Sequence, residues 1–321
     1  MRAIAYRDYG GPDVLQLHQR PVPQAASSQV LIRVAAAGIN PIDCRTRQGE
    51  LRWLLPGGFP RVPGFDVAGT VEQAEPRTGL AVGERVIAFL DGLYGGGYAE
   101  FAVCAADAVT PLPDSVDMLH AAGLPLAGST ALQSLRDIGG IRQGDFVLIN
   151  GASGGVGSFA IQIAKAYGAT VTAVCSAKHH DFVRELGADE VLDYADTDYS
   201  KLNRQWNIVF DAAGKSSYQA ARHVLARGGR FISTEPSLAG IGMSLATSLL
   251  SKKGRVMLAR PRSKDLRELV RLVTSGKLAM HLDEVFPLDQ AAAAHQRIEA
   301  GGVRGKLVLQ VAEASEPPRS S

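Results

Sequence analysis

The stretch Gly151-Ala152-Ser153-Gly154-Gly155-Val156-Gly157 is the part of the chain whose residue types most directly imply chemistry. It stands between an apolar run, Asp145 to Asn150, and a helical pattern over 156–167 that stops at Gly168. Glycines let a chain turn tightly and let its backbone approach a pyrophosphate. The helix N-terminus behind them offers free N–H groups and partial positive charge. A glycine motif alone is a weak signal, but strand, glycines and helix in that order predict a dinucleotide site rather than an empty turn. The end of the next strand, Thr170 to Cys175, bears on which dinucleotide. Folds specific for NAD usually carry Asp or Glu there, to bind the ribose 2′-hydroxyl. This strand runs into Cys175-Ser176-Ala177-Lys178, with no acid to repel a 2′-phosphate. Ser176 can donate a hydrogen bond and Lys178 can supply charge. Tyr194, after the third strand, can add a hydroxyl. The pattern favours NADPH, the plainer alternative being that Lys178 is a solvated surface lysine. His179 and His180 read as surface residues at a helix start, not as metal ligands.

Other chemistries find less support. Cys44, Cys104 and Cys175 lie far apart with no CxxC pair, which argues against a disulfide framework or a structural zinc and fits a reducing, cytoplasmic setting. Basic and acidic residues nearly balance, 34 against 32, without long runs of one sign. Neither a nucleic-acid surface nor a membrane surface is indicated. The first residues, Met1 to Tyr6, read as a strand and lack the apolar core of a signal peptide. No apolar stretch is long enough to span a bilayer.

The elements that must position these residues fall into two textures. With 321 residues, two domains are expected. The first third has short β-type runs, at 29–34, 67–72, 85–89 and 98–103, punctuated by Gly and Pro, which predicts a barrel-like β domain. Near Pro113 the pattern changes. A helix start is expected over 114–119 with Asp114 or Ser115 as its cap, and an Ala-rich helix over 124–135. Strands then alternate with helices: strands at 145–150, 170–175, 190–192, 208–211 and 230–233, and helices at 179–186 and 218–226. Such alternation predicts βαβ units and a doubly wound parallel sheet. Amphipathic helices over 264–275 and 289–300 follow, then a last strand over 305–311 that returns to the first domain. The polar end, 313–321, reads as disordered.

End to end, the chain resembles the zinc-independent quinone oxidoreductase and alkenal/enone reductase branch of the medium-chain dehydrogenase/reductases. The resemblance rests on Ala37-Gly38-Ile39-Asn40-Pro41-Ile42-Asp43, Val62-Pro63-Gly64-Phe65-Asp66-Val67-Ala68-Gly69 and Gly83-Glu84-Arg85-Val86. It rests also on Gly97 to Phe101, Leu124 to Leu132, the glycine loop, Leu186 to Tyr194 and Gly305-Lys306-Leu307-Val308-Leu309. It implies an α/β protein: a GroES-like β-barrel domain, 1–122 and 259–321, with an inserted Rossmann domain, 123–258, the active site in the cleft and a dimer or tetramer as the assembly, a homodimer being the expectation.

For the cofactor, the resemblance implies Thr130 near the nicotinamide side and Ser153, Gly154, Gly155, Val156 and Gly157 at the pyrophosphate. Ala212, Ala213 and Gly214 after the fourth strand, Ser233 and Thr234 after the fifth, and Gly305 and Lys306 from the tail complete the expected contacts. Zinc members carry Cys where this chain has Asn40 and Gly-His-Glu where it has Gly64-Phe65-Asp66. A catalytic zinc needs about three protein ligands, so no metal is expected. The implied reaction is hydride transfer from NADPH to the C=C bond of an activated enone or alkenal, or to a quinone, on a small hydrophobic substrate. The Asn40 amide and the cofactor's own ribose hydroxyls are the candidate donors to the carbonyl oxygen, a turn residue before Pro41 being the rival reading of Asn40. Solvent or a tyrosine, Tyr98 or Tyr94, is the candidate for protonation of the α-carbon. Asp43 is expected to hold backbone or Arg45, and Cys44 to pack. The segment 49–60, with Trp53 and Phe59, could form an apolar lip or simply pack. One-electron quinone reduction and a crystallin-like NADPH-binding protein with little catalysis are the alternatives.

Overall fold

The computed structural model describes residues 1–53 and 58–311. Leu54 and Leu55 of the expected lip and the expected disordered end lie outside these residues. The chain divides into two compact units, 1–126 with 261–270 and 280–321, and 127–260 with 271–279.

The first unit opens with an antiparallel pair, β1 (Arg2–Ala5) and β2 (Gln16–Gln19). Its main sheet is built on β3 (Gln29–Ile39), which is longer than the sequence pattern predicts because two register shifts let it serve three partners. β4 (Asp66–Ala74) runs antiparallel along it. On the other side, residues 29–33 pair with β6 (Phe101–Ala105) and residues 36–39 with the last strand of the chain. β5 (Arg85–Phe89) pairs β4, and β7 (Val109–Pro111) pairs β5. Ile32, Val34, Val67, Val86 and Tyr98 point into one apolar core. Helix α1 (Pro41–Gln48) follows β3 directly: Pro41 presets its first turn, and Gly49, at φ 82°, ends it. Helix α2 (Met118–Ala121) starts later than expected. Asp117 caps it, accepting from the His120 N–H at 2.9 Å, whereas Asp114 pairs with Arg85.

The second unit carries α3 (Pro125–Leu132), which continues as a π-helix over 133–138, and a six-stranded sheet. The strands are β8 (Phe146–Asn150), β9 (Thr170–Cys175), β10 (Glu190–Asp193), β11 (Trp206–Asp211), β12 (Leu225–Ser233) and β13 (Lys253–Val256). Their spatial order is β10-β9-β8-β11-β12-β13, and every neighbouring pair is parallel. The order reverses between β8 and β11, the switch point where such sheets bind ligands. The connecting helices are α4 (Gly155–Ala166), α5 (His180–Glu185), α6 (Tyr218–Ala221) and α7 (Leu238–Ala246). Helix α6 is shorter than expected because pairing to β11 takes Leu225 onward into β12: Leu225 lies opposite Trp206, and Trp206 N–H donates to Val224 at 2.8 Å. His179 corrects a second expectation, since it is buried rather than on the surface.

Helix α8 (Ser263–Thr274) follows; β14 (Leu282–Pro287), α9 (Ala291–Glu299) and β15 (Lys306–Gln310) complete the first unit. The segment 281–287 is thus a strand, parallel to β15, and β15 closes onto β3. Among the described residues no helix is long and apolar enough to cross a membrane.

Candidate active site

The first unit holds a buried polar cluster at the junction of β3 and α1. Asn40 ends the strand and precedes the helix, so it is fixed by both. Its N–H donates to Asp43 Oδ2 at 2.8 Å, the acidic half of a capping box. Its side chain does other work. Nδ2 donates to Asp66 Oδ2 at 2.9 Å, and Oδ1 accepts from Lys306 Nζ at 2.6 Å. Asp66 Oδ1 accepts from the Leu126 N–H at 2.7 Å, and Lys306 also donates to the Ile39 carbonyl at 2.8 Å. Lys306 Nζ stands 3.7 Å from Asp66. Burial lowers the Lys306 pKa and raises that of Asp66, each opposed by the charge of the other.

A second chain of contacts supports Asp43. Its Oδ1 accepts from the Gly64 N–H at 3.0 Å, and Tyr98 donates its hydroxyl to Oδ2 at 3.3 Å. Gly64 sits at φ 100°, and a Cβ there would lie 2.4 Å from the Tyr98 ring, so only glycine admits this approach. Tyr98 oxygen lies 3.2 Å from His295 Nε2, and His295 Nδ1 lies 3.4 Å from Cys44 Sγ. The contacts are satisfied by a neutral imidazole that carries its proton on Nε2 and accepts the thiol proton on Nδ1. Burial drives His295 down to about 3, in agreement with that state. Burial likewise pushes Asp43 up to about 7, against the backbone donors that favour its charge. Beyond Cys44 on α1, Arg47 is fully buried and paired with Glu299 of α9.

The second unit carries the candidate phosphate cradle. Gly151 leaves β8 at φ 79°, and a Cβ there would lie 2.7 Å from that of Ala213. A Cβ on Gly157 would lie 2.2 Å from the Gly151 carbonyl oxygen, so helix and loop touch through bare backbone. Gly154, the N-cap of α4, is different: a Cβ would find only the Gly151 oxygen, at 3.6 Å, and no side chain caps the helix. An unobstructed glycine edge in front of uncapped N–H groups fits a dinucleotide diphosphate.

The expected cofactor residues divide by location. The glycine loop, Ala213, Gly214, Ser233 and Thr234 gather at the C-terminal ends of β8, β11 and β12. There Asn150 donates to Asp211 at 2.9 Å and Thr234 to the Ala212 carbonyl at 3.2 Å. Ser176, Lys178 and Tyr194 gather at the ends of β9 and β10, where Tyr194 N–H donates to the Cys175 carbonyl at 3.3 Å. Lys178 and Tyr194 are exposed. Thr130 is buried on α3. Gly305 and Lys306 belong to the first unit, and Lys306 is corrected from a cofactor contact to the partner of Asn40, because its Nζ is spent inside that unit.

Tyr98 is corrected in the same way: it is 0% exposed and its hydroxyl is enclosed by Asp43 and His295, so it cannot reach a substrate carbon. Tyr94 stacks on Arg61, with the guanidinium 4.1 Å from the ring centre. Asp43 does hold backbone, but Arg45 pairs with Glu50. Phe59 of the expected lip packs edge-on against Tyr6 and Tyr9, whereas Trp53 is exposed.

Three residues of the candidate site carry no local signal of that place in the sequence. Asp66 stands in the sequence only where zinc members carry the acid of a ligand motif. His295 carries no local motif. Asp193 ends β10 and accepts from the Ala177 and Ala195 N–H groups, each at 2.8 Å, shaping the turn that bears Lys178. Among the described residues, no group of three or more His, Cys, Asp or Glu side chains is arranged to hold a metal ion.

Comparison with known proteins bears on the family. Residues 26–114 match the family model described as alcohol dehydrogenase GroES-like domain, and residues 186–309 the one described as zinc-binding dehydrogenase. The chain is 35% identical to the chloroplast envelope quinone oxidoreductase homolog of Arabidopsis thaliana, covering 97% of this chain and 98% of the relative. It is 34% identical to an NADPH-dependent alkenal/one oxidoreductase, chloroplastic, of the same plant, over 96% of this chain and 79% of the relative. The solved quinone oxidoreductase from Coxiella burnetii superposes with a TM-score of 0.90 at 32% identity, covering 97% of this chain and 99% of that one.

Proposed function

This chain belongs to the medium-chain dehydrogenase/reductase family, as an oxidoreductase of the quinone and alkenal/one type, and we propose that it is an NADPH-dependent reductase of small hydrophobic enones, alkenals or quinones that works without zinc. The observation that carries the proposal is Asn40. Its amide stands at the sequence position where zinc members of the family carry a cysteine, and it is held between Lys306 and Asp66, with one Nδ2 proton left over. A bound reduced nicotinamide supplies the hydride. The chain's own part is to hold the carbonyl oxygen of an enone, or an oxygen of a quinone, on that remaining Nδ2–H as negative charge develops there. Such a preorganised donor in a dry site lowers the barrier.

NADPH is preferred over NADH on this reading because Ser176 and Lys178 stand at the end of β9 with no acid among them. The nearest carboxylate, Asp193, has each oxygen engaged by a backbone N–H. With Tyr98 enclosed, solvent delivers the proton to the α-carbon. The three buried, unpaired cysteines suit a reducing, cytoplasmic compartment. A homodimer is supported by β13, which among the described residues pairs with β12 alone and so ends the sheet, and by exposed Ile241 and Leu245 on the neighbouring α7. A monomeric mass in solution would contradict it.

The test is turnover of 1-octen-3-one and of 1,4-naphthoquinone with NADPH and with NADH. The saturated ketone should form, with NADPH preferred. Quinone turnover without any enone turnover would confine the activity to the quinone half. Turnover of neither, with NADPH bound, would sink the proposal in favour of a binding protein.

A further inference from the structure

An asparagine amide has two ends of nearly the same shape and opposite chemistry, one an acceptor and one a donor. A donor that must meet a developing oxyanion therefore needs something that forbids the flipped amide. At Asn40 two buried side chains provide it. An ammonium has no acceptor, so Lys306 tolerates only the oxygen on its side, and it holds Oδ1 at 2.6 Å. Asp66 lies on the other side and accepts from Nδ2 at 2.9 Å, while its second oxygen is taken by Leu126. Lys306 is 4% exposed and Asp66 0%, so water cannot stand in for either. The sheet itself aims the lysine: Leu307 of β15 lies opposite Ile39 of β3, and Lys306 Nζ is tied to the Ile39 carbonyl.

We infer that Lys306 and Asp66 are a positioning pair that locks the Asn40 amide with its second Nδ2 proton as a standing donor. Neither touches the reacting atoms. The cation on Oδ1 also draws electron density through the amide and makes the remaining N–H a stronger donor. The inference rests on the reading that Asn40 serves the substrate oxygen, and it assigns to the tail a role in the reaction rather than in cofactor closure.

A double-mutant cycle tests it, on whichever of the enone and the quinone the wild-type protein reduces. Lys306→Met should lower kcat about tenfold with KM for NADPH little changed, and in an Asn40→Ala background the same change should cost less than about twofold. Losses that simply multiply, or a Lys306→Met protein with full kcat, overturn the inference. A merely structural lysine would add its cost in both backgrounds. A second measurement needs neither turnover nor a folded lysine variant. The chain has four asparagines, so selective 15N labelling gives four side-chain amide pairs. The Asn40 pair should include a proton protected from solvent exchange, unlike that of exposed Asn203. Turnover with an Asn40 amide that exchanges as freely as Asn203 sinks the positioning pair alone. A protected amide without any turnover sinks the reading of the reaction and leaves the lock.

Discussion

At the scale of single residues, the buried chain Asp43–Tyr98–His295–Cys44 couples the site to pH. His295 has its folded pKa driven down to about 3 from an ordinary 6.5, so the folded state refuses a proton that the unfolded chain accepts. Its stabilising contribution is complete above 6.5 and is lost as the pH falls toward 3. Asp43 acts in the opposite sense. Its folded pKa, about 7 against an ordinary 3.8, means that the folded state keeps a proton the unfolded chain releases. Its contribution is complete below 3.8 and is lost as the pH rises through 7. Between pH 7 and 5 the two oppose each other, so the wild type should show little net change from this pair. Replacing His295 by Gln removes one arm. The unfolding free energy of the variant relative to wild type should improve by roughly 2 kcal/mol on going from pH 7 to 5, at about 1.4 kcal/mol per unit of pH. Denaturant titrations at the two pH values read this directly; a difference that does not move with pH would mean that His295 titrates in the folded protein as it does in the unfolded chain.

At the scale of elements, two glycines of one loop differ in what surrounds them, and one experiment separates them. Gly154 and Gly157 belong to one motif, yet only Gly157 is required by packing, against the Gly151 oxygen. Gly154 has φ −77°, which alanine adopts freely, and open space beside it. Gly154→Ala should therefore leave stability within about 0.5 kcal/mol while weakening NADPH binding, measured by fluorescence titration, because the methyl intrudes where the diphosphate lies. Gly157→Ala should lower both. Unchanged NADPH affinity in Gly154→Ala would place the diphosphate elsewhere.

The same loop shows why part of the site was legible in the sequence. Strand, glycines and helix are local, and diphosphate binding uses backbone, so spacing alone reveals it. Ser176, Lys178 and Tyr194 follow strand ends that the alternation of elements also marks. Lys306 and His295 are a different case. They meet Asn40 and Tyr98 across 266 and 197 residues, through strand pairing and helix packing that leave no motif. Tyr98 is enclosed for a related reason: Gly64, distant in sequence, lets its ring sink against backbone. Helix α6 was overextended because the pairing of β12 with β11, a tertiary effect, outweighs the local helical pattern.

At the scale of the whole molecule, one chain of 321 residues contains a parallel sheet with the proposed cofactor cradle and a β unit with the amide proposed to be locked. Residues 280–311 belong to the β unit although they follow the parallel sheet in sequence, and they bring Lys306 and His295 to the candidate site. That return of the tail makes the positioning of Asn40 a property of the complete first unit rather than of the motif around it. The central claim is that an asparagine held by protein groups, and not a metal, meets the substrate oxygen. It is tested most directly by kcat/KM for 1-octen-3-one with NADPH, measured before and after exhaustive treatment with 1,10-phenanthroline, with metal content determined on the same samples. The account predicts no stoichiometric zinc and an unchanged kcat/KM. Activity lost on chelation and restored by one zinc per chain would contradict it.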